Sequence, residues 1–202
     1  MKKYLIIAIL AFYNSSKTYA QVTFKPGIRL GINISNFTKG SLDINGYFDA
    51  NGNYIYKDTY SSKTDLYMAV YVALRLTKFY TLQPEICYSN QGSVVKKYDQ
   101  NNGYYDSKLN ISYLSLGVVN KFTINKLNIH IGPTIDFVVN ENFNSDSDLD
   151  FAFLLGVGYN LTSNFGIEAR IKKGIVPVLD YSSSNHTNQV FQLGATYTFD
   201  LK

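Results

Sequence analysis

Stretch after stretch of this chain alternates apolar and polar residues one by one, a period of two that only β-strands can use. Between Phe24 and Ile34, the residues Phe24, Ile28, Leu30, Ile32 and Ile34 oppose Lys25, Gly27, Arg29, Gly31 and Asn33. Leu66, Met68, Val70, Val72, Leu74 and Leu76 oppose Tyr67, Ala69, Tyr71, Ala73 and Arg75. Tyr80, Leu82, Pro84, Ile86 and Tyr88 oppose Thr81, Gln83, Glu85, Cys87 and Ser89. The same holds from Leu127 to Val139, Phe151 to Tyr159, Phe165 to Lys173 and Gln189 to Phe199. Leu109–Phe122 is also a strand, with a mixed phase: Leu114, Leu116 and Val118 fit one face, Leu109 and Ile111 the other, and a bulge near Tyr113 would reconcile them. Eight strands result, and no window carries a helical period.

The connections alternate in length. Long segments rich in Asn, Asp, Ser and Tyr lie at Phe37–Thr64, Gln91–Lys108, Asn140–Asp150 and Gly174–Asn188, whereas short turns lie near Lys78-Phe79, Thr123–Lys126 and Leu161–Asn164. Short periplasmic turns, long external loops and an even strand number are the pattern of outer-membrane barrels. The apolar face is nearly pure, with Tyr and Phe towards strand ends, as rings in a headgroup layer would be. Turned outward in water, that face would exceed the apolar patch a soluble monomer tolerates. The expected fold is an all-β, eight-stranded antiparallel up-and-down transmembrane barrel. Alternation alone leaves open a soluble exported barrel with an apolar interior.

The chain's 202 residues suit one domain, and a mean hydropathy of −0.11 does not suit a bundle of membrane helices. One cysteine, Cys87, excludes a disulfide framework and reads as a small buried filler. Residues 1–20 have the layout of a secretory signal peptide: basic Met1-Lys2-Lys3, apolar Tyr4–Phe12, then Thr18-Tyr19-Ala20, with cleavage after Ala20. The barrel domain is then 21–202, exported to the outer membrane. Removing three lysines and no acid takes the formal charge from +4 to about +1, so the whole-chain basicity gives no reason to expect nucleic acid.

The strand Leu82-Gln83-Pro84-Glu85-Ile86-Cys87-Tyr88-Ser89-Asn90-Gln91-Gly92 resembles the LQPELxYSxxG signature of the PorT-like outer-membrane β-barrel family. Gly27–Ser35, Gly156-Val157-Gly158-Tyr159, and Phe191-Gln192-Leu193-Gly194 with Tyr197 and Phe199 are similar to its first, sixth and last strands. The fourth strand departs: Tyr113-Leu114-Ser115-Leu116-Gly117 stands where the family has YLEIP. The resemblance implies an eight-stranded outer-membrane barrel and no single activity, some relatives being associated with protein secretion. Phe199 is similar to the C-terminal aromatic that barrel-assembly machinery reads.

A barrel of eight strands holds little beyond its own side chains, which disfavours a diffusion pore. The inner residues Arg29, Arg75, Glu85, Glu168 and Arg170 are expected to form a structural ion-pair network centred on Glu85, because a carboxylate shut inside needs partners. His130 and Asp136 share the inner face near Ser112 and Ser115 but are six residues apart along a strand, about 20 Å, beyond hydrogen-bond reach. His186 and the loop acids Asp99, Asp106, Asp146, Asp148 and Asp150 read as solvated, without the spacing of a calcium loop. Nothing calls for a cofactor, a metal or a catalytic set. The leading reading is a non-enzymatic structural or interaction protein, accessory to secretion or envelope assembly by resemblance only. Its partners are outer-membrane lipids, the assembly machinery through Phe199 and an envelope or secretion-complex protein. The alternatives are an outer-membrane enzyme acting on lipid or peptide, and a small-ligand-binding exported barrel.

Overall fold

The computed structural model describes residues 22–38, 46–48, 54–56, 59–99, 103–181 and 184–200; the expected signal segment lies outside them. The described residues form eleven strands: β1 (Thr23–Phe37), β2 (Gly46–Phe48), β3 (Tyr54–Tyr56), β4 (Thr59–Ser61), β5 (Lys63–Arg75), β6 (Tyr80–Asp99), β7 (Gly103–Ile124), β8 (Leu127–Glu141), β9 (Leu149–Asn160), β10 (Phe165–Tyr181) and β11 (Ser184–Thr198). The ring runs β6-β5-β1-β11-β10-β9-β8-β7 and closes through β6–β7, all antiparallel. Eight strands therefore make the wall. β4 adds to the upper part of β6, and β2 with β3 forms a separate two-stranded ladder. β1 pairs with β11 from Gly27↔Thr198 to Phe37↔Asn188, joining the two ends of the chain.

Local chemistry sets the short turns. Asn125, at φ 57°, takes the left-handed conformation that a two-residue β7–β8 turn demands and that Asn tolerates. The two other turns each use a threonine: Thr77 Oγ1 accepts from the Phe79 and Tyr80 amides, and Thr162 Oγ1 accepts from those of Asn164 and Phe165.

The alternation is resolved with the apolar face outward. Leu30, Leu66, Val70, Leu155 and Ile171 are all exposed on the outer wall, while Arg29, Asn33, Gln83, His130 and Arg170 are buried inside. Burying the second set and exposing the first is the inverse of a soluble barrel and fits hydrocarbon outside.

The other end departs from the expected loops. Gln91–Lys108 is ladder for most of its length, paired without a break from Tyr80↔Phe122 to Asp99↔Gly103. Gly174–Asn188 likewise carries β10 and β11 onward, with register shifts around Pro177. These segments are polar because they stand beyond the apolar band, and polarity does not stop a hairpin from zipping.

The phase conflict in β7 also has a different solution. A register shift does fall at Ser112/Tyr113, but the additional residue is Val139 of β8. β7 itself keeps its phase, so Ile111 and Tyr113 point inward with Ser115. They pack with Phe37, Val178 and Leu179 into an internal apolar cap, joined by Tyr60, Leu109, Val138 and Phe143.

Candidate functional site

The lumen is filled in layers, and its centre is a charged cluster. Strand β6 sets Glu85 opposite β10, four strands away around the ring in either direction. Arg170 of β10 spans that diameter, its Nη1 donating to Glu85 Oε1 at 2.8 Å. Arg29 of β1 donates from Nη1 to Glu85 Oε2 at 3.0 Å and to Glu168 Oε1 at 3.1 Å, and from Nη2 to Glu85 Oε1 at 3.1 Å. Arg170 Nε lies 3.0 Å from Glu168 Oε1, and Gln83 Nε2 donates to Glu85 Oε2 at 3.3 Å. Four of the five residues anticipated inside are thus brought together: Arg29, Glu85, Glu168 and Arg170.

Arg75 is not among them. It shares the inner phase of β5 but sits at the turn-end mouth, exposed, where Nη2 donates to the Lys78 carbonyl at 3.0 Å and Nε to that of Thr77 at 3.4 Å. A shared inner phase does not set a residue's height in a wall of tilted, staggered strands, and a long side chain at a mouth turns to water and free carbonyls. The fifth charged member is Lys121 of β7, whose Nζ is 3.9 Å from Glu168 Oε2. The unresolved phase of β7 concealed it; a strand that keeps one phase from Ile111 puts Lys121 inside.

Above the cluster, Lys172 Nζ donates to Asp136 Oδ2 at 2.6 Å and reaches Ser115 Oγ at 3.4 Å. Next comes an amide and hydroxyl layer. Asn33 Nδ2 donates to Ser89 Oγ at 2.8 Å, Gln192 Nε2 to Asn33 Oδ1 at 2.9 Å, and Asn188 Nδ2 to Gln91 Oε1. The apolar cap closes the loop end. Below the cluster, His130 Nδ1 meets Asn128 Oδ1 at 3.1 Å, and its ring lies over Gly156, where an added Cβ would collide with Nε2. The lumen then widens into a vestibule of about 510 Å³ at the turn end, lined by Lys25, Arg75, Lys121 and Lys126 among hydroxyls and amides.

Candidate chemistry is dispersed by these contacts. His130 is engaged with Asn128, Asp136 with Lys172, and Ser112 Oγ with Asn90 Oδ1 at 2.9 Å. Cys87 is buried beside Tyr67 and Ala69. Two residues read as solvated are buried instead. His186 is covered, with Nδ1 2.7 Å from the Thr38 carbonyl oxygen and its ring 4.7 Å from that of Tyr60. Asp150 is buried, and its Oδ1 accepts from the amides of Ile175 and Val176 at 3.1 and 2.9 Å, where β10 runs past the start of β9. No group of three or more His, Cys, Asp or Glu among the described residues could hold a metal ion.

A closed ring of eight antiparallel strands with an apolar exterior and an ion-paired interior has a family counterpart. The model of the outer membrane protein beta-barrel domain matches residues 19–184. The chain belongs to this family. Its fold is shared with solved outer-membrane barrels. The crystal structure of Neisserial surface protein A aligns at a TM-score of 0.50 and 11% identity over 86% of this chain and 97% of that one. The solid-state NMR structure of the outer membrane protein AlkL in lipid bilayers aligns at 0.50 and 13% identity over 92% of this chain and 95% of that one. No curated protein sequence matches. Membership explains the inverted polarity of the wall: an outer-membrane barrel meets hydrocarbon outside and keeps its polar groups for the lumen.

Proposed function

We propose that this chain is a non-enzymatic outer-membrane barrel whose loop end engages another envelope or secretion-complex protein. The observation that carries this reading is the β6–β7 hairpin, a continuous ladder that rises past the end of β8 at Glu141 and presents Tyr105, Asp106 and Lys108 to solvent. A projection ordered in advance loses little entropy on binding, which makes it a better docking element than a floppy loop. The hydrogen-bonded lumen supports the same reading, because it gives His130, Asp136 and Ser112 structural partners. Export by residues 1–20, assembly through Phe199 and PorT-like kinship belong to this proposal and rest on the sequence motifs.

The test is photo-crosslinking in intact cells from position 105 at the loop end and position 79 at the turn end, with mass spectrometry of the purified adducts. A single envelope protein captured from position 105 in near-stoichiometric yield is the expected result. Recovery of only lipopolysaccharide and abundant neighbours from both positions would reject it. An activity on lipid or peptide that disappears in a folded His130→Ala barrel would put the enzymatic alternative in its place.

A further inference from the structure

The vestibule at the turn end is electrostatically unlike the rest of the lumen. Lys25, Arg75, Lys121 and Lys126 line it, and among the described residues no carboxylate does. Asp200 on the rim is the one described acid at this end, and it is spent on Lys25, Nζ to Oδ1 2.5 Å. The central cluster, at the inner end of the vestibule, adds to the imbalance. Three cations, Arg29, Arg170 and Lys121, face two carboxylates, Glu85 and Glu168. Both arginines hold their carboxylates at 2.8–3.1 Å, whereas Lys121 is left at 3.9 Å from the nearer one. The excess charge of the cluster is therefore that of Lys121, on the floor of the vestibule, largely shielded from solvent and without a close counter-ion.

We propose that the vestibule is a binding site for a phosphate group, with Lys121 at its floor and Arg75 and Lys126 at its rim. A desolvated cation lacking a close partner gains more from an incoming anion than a solvated one does. Phosphate suits the mixed donors better than a carboxylate, since its oxygens accept from a guanidinium, ammonium groups and hydroxyls such as Thr123 and Ser163 at once. The short turns of such barrels face the periplasm, so the ligand is either a phospholipid headgroup of the inner leaflet or a soluble periplasmic phosphate.

The full-length mature barrel in uncharged detergent is titrated with inorganic phosphate by calorimetry. In parallel, native mass spectrometry reads retention of phosphatidylglycerol against phosphatidylcholine from mixed micelles. Saturable phosphate binding assigns a soluble source, and selective retention of phosphatidylglycerol without it assigns the headgroup. In either case Arg75→Ala, Lys126→Ala and Lys121→Met each weaken binding by about tenfold, the worth of one hydrogen bond to a charged group. Lys173→Ala, exposed on β10 and away from the vestibule, leaves it unchanged. Arg75 and Lys126 are exposed, so their variants stay informative if Lys121→Met does not fold. Failure of the wild type to bind either probe, or binding by Arg75→Ala and Lys126→Ala equal to wild type, overturns the proposal. An acidic peptide binding where phosphate does not would overturn it too.

Discussion

Arg170 and Glu85 meet across the full diameter of the barrel, Nη1 to Oε1 at 2.8 Å, tying together strands that share no backbone hydrogen bond. Such a strut holds the wall against flattening, a job that the ladder, running only between neighbours, cannot do.

Removing the acid end of that strut leaves two guanidiniums with Glu168 alone. Glu85→Leu is expected to destabilise the barrel by about 3–5 kcal/mol, the cost of uncompensated buried charge. Heat-modifiable gel mobility or thermal circular dichroism in detergent would show it as a lower melting temperature. A second change, Arg170→Met, should return part of the loss, because it removes one of the orphaned charges. An unchanged melting temperature in Glu85→Leu would reject the strut.

Gly156 is small because His130 occupies the space over it. Gly156→Ala is expected to cost about 1–3 kcal/mol through overpacking. The double variant with His130→Ala should recover only part of this, since the added methyl would still stand 2.7 Å from the Ala169 carbonyl oxygen. Urea titrations of the four members of this cycle give the coupling directly.

The apolar cap is the element that seals the loop end. Phe37→Ala removes the aromatic ring that β1 contributes to it and should cost about 3–5 kcal/mol, as Phe truncations in packed cores do. Hydrogen exchange should quicken at the upper ends of β7 and β10 while the turn-end halves of β8 and β9 keep their protection. Uniform change along the strands would contradict a local seal.

Asp200 and Lys25 form an exposed clasp between the end of the chain and its first strand. Hydrogen bonds from Lys25 and Asn164 hold the Asp200 carboxyl below the usual carboxylate range. A carboxyl with a depressed folded value favours the closed clasp above its unfolded value and loses that contribution as pH falls through the depressed one. The carbon-13 carboxyl shift of Asp200 should therefore stay ionised through mild acid and titrate only at low pH. In Lys25→Gln its midpoint should move upward; an identical midpoint would show the clasp to be open in solution.

How much of this was legible depended on what each side chain was doing. β1 from Gly27 to Ser35 and β8 from Leu127 to Phe137 were readable because over those spans every inner residue is polar or small and every outer one apolar. β7 was not, because Ile111 and Tyr113 belong to an internal cap, and an apolar residue pointing inward looks to periodicity like a change of face. That one ambiguity also hid Lys121. Arg75 was misplaced for a geometric reason, because alternation tells which face a residue takes but not its height in a tilted wall. His186 escaped for a tertiary one: its partners, Thr38 and Tyr60, lie at the far end of the chain.

Seven of the eight joints in the ring link strands that follow one another around hairpins or a single connection, but β1 meets β11 only after everything between them has been made. Local ladders can zip from their turns at small entropic cost, whereas this seam must be found over nearly the whole contour of the chain. The seam is thus the slow, non-local decision in forming the barrel. A single-residue slip there would reverse β11, sending Gln192 towards lipid and Phe191 and Leu193 into the lumen, so one ladder fixes whether the closed wall is usable at all.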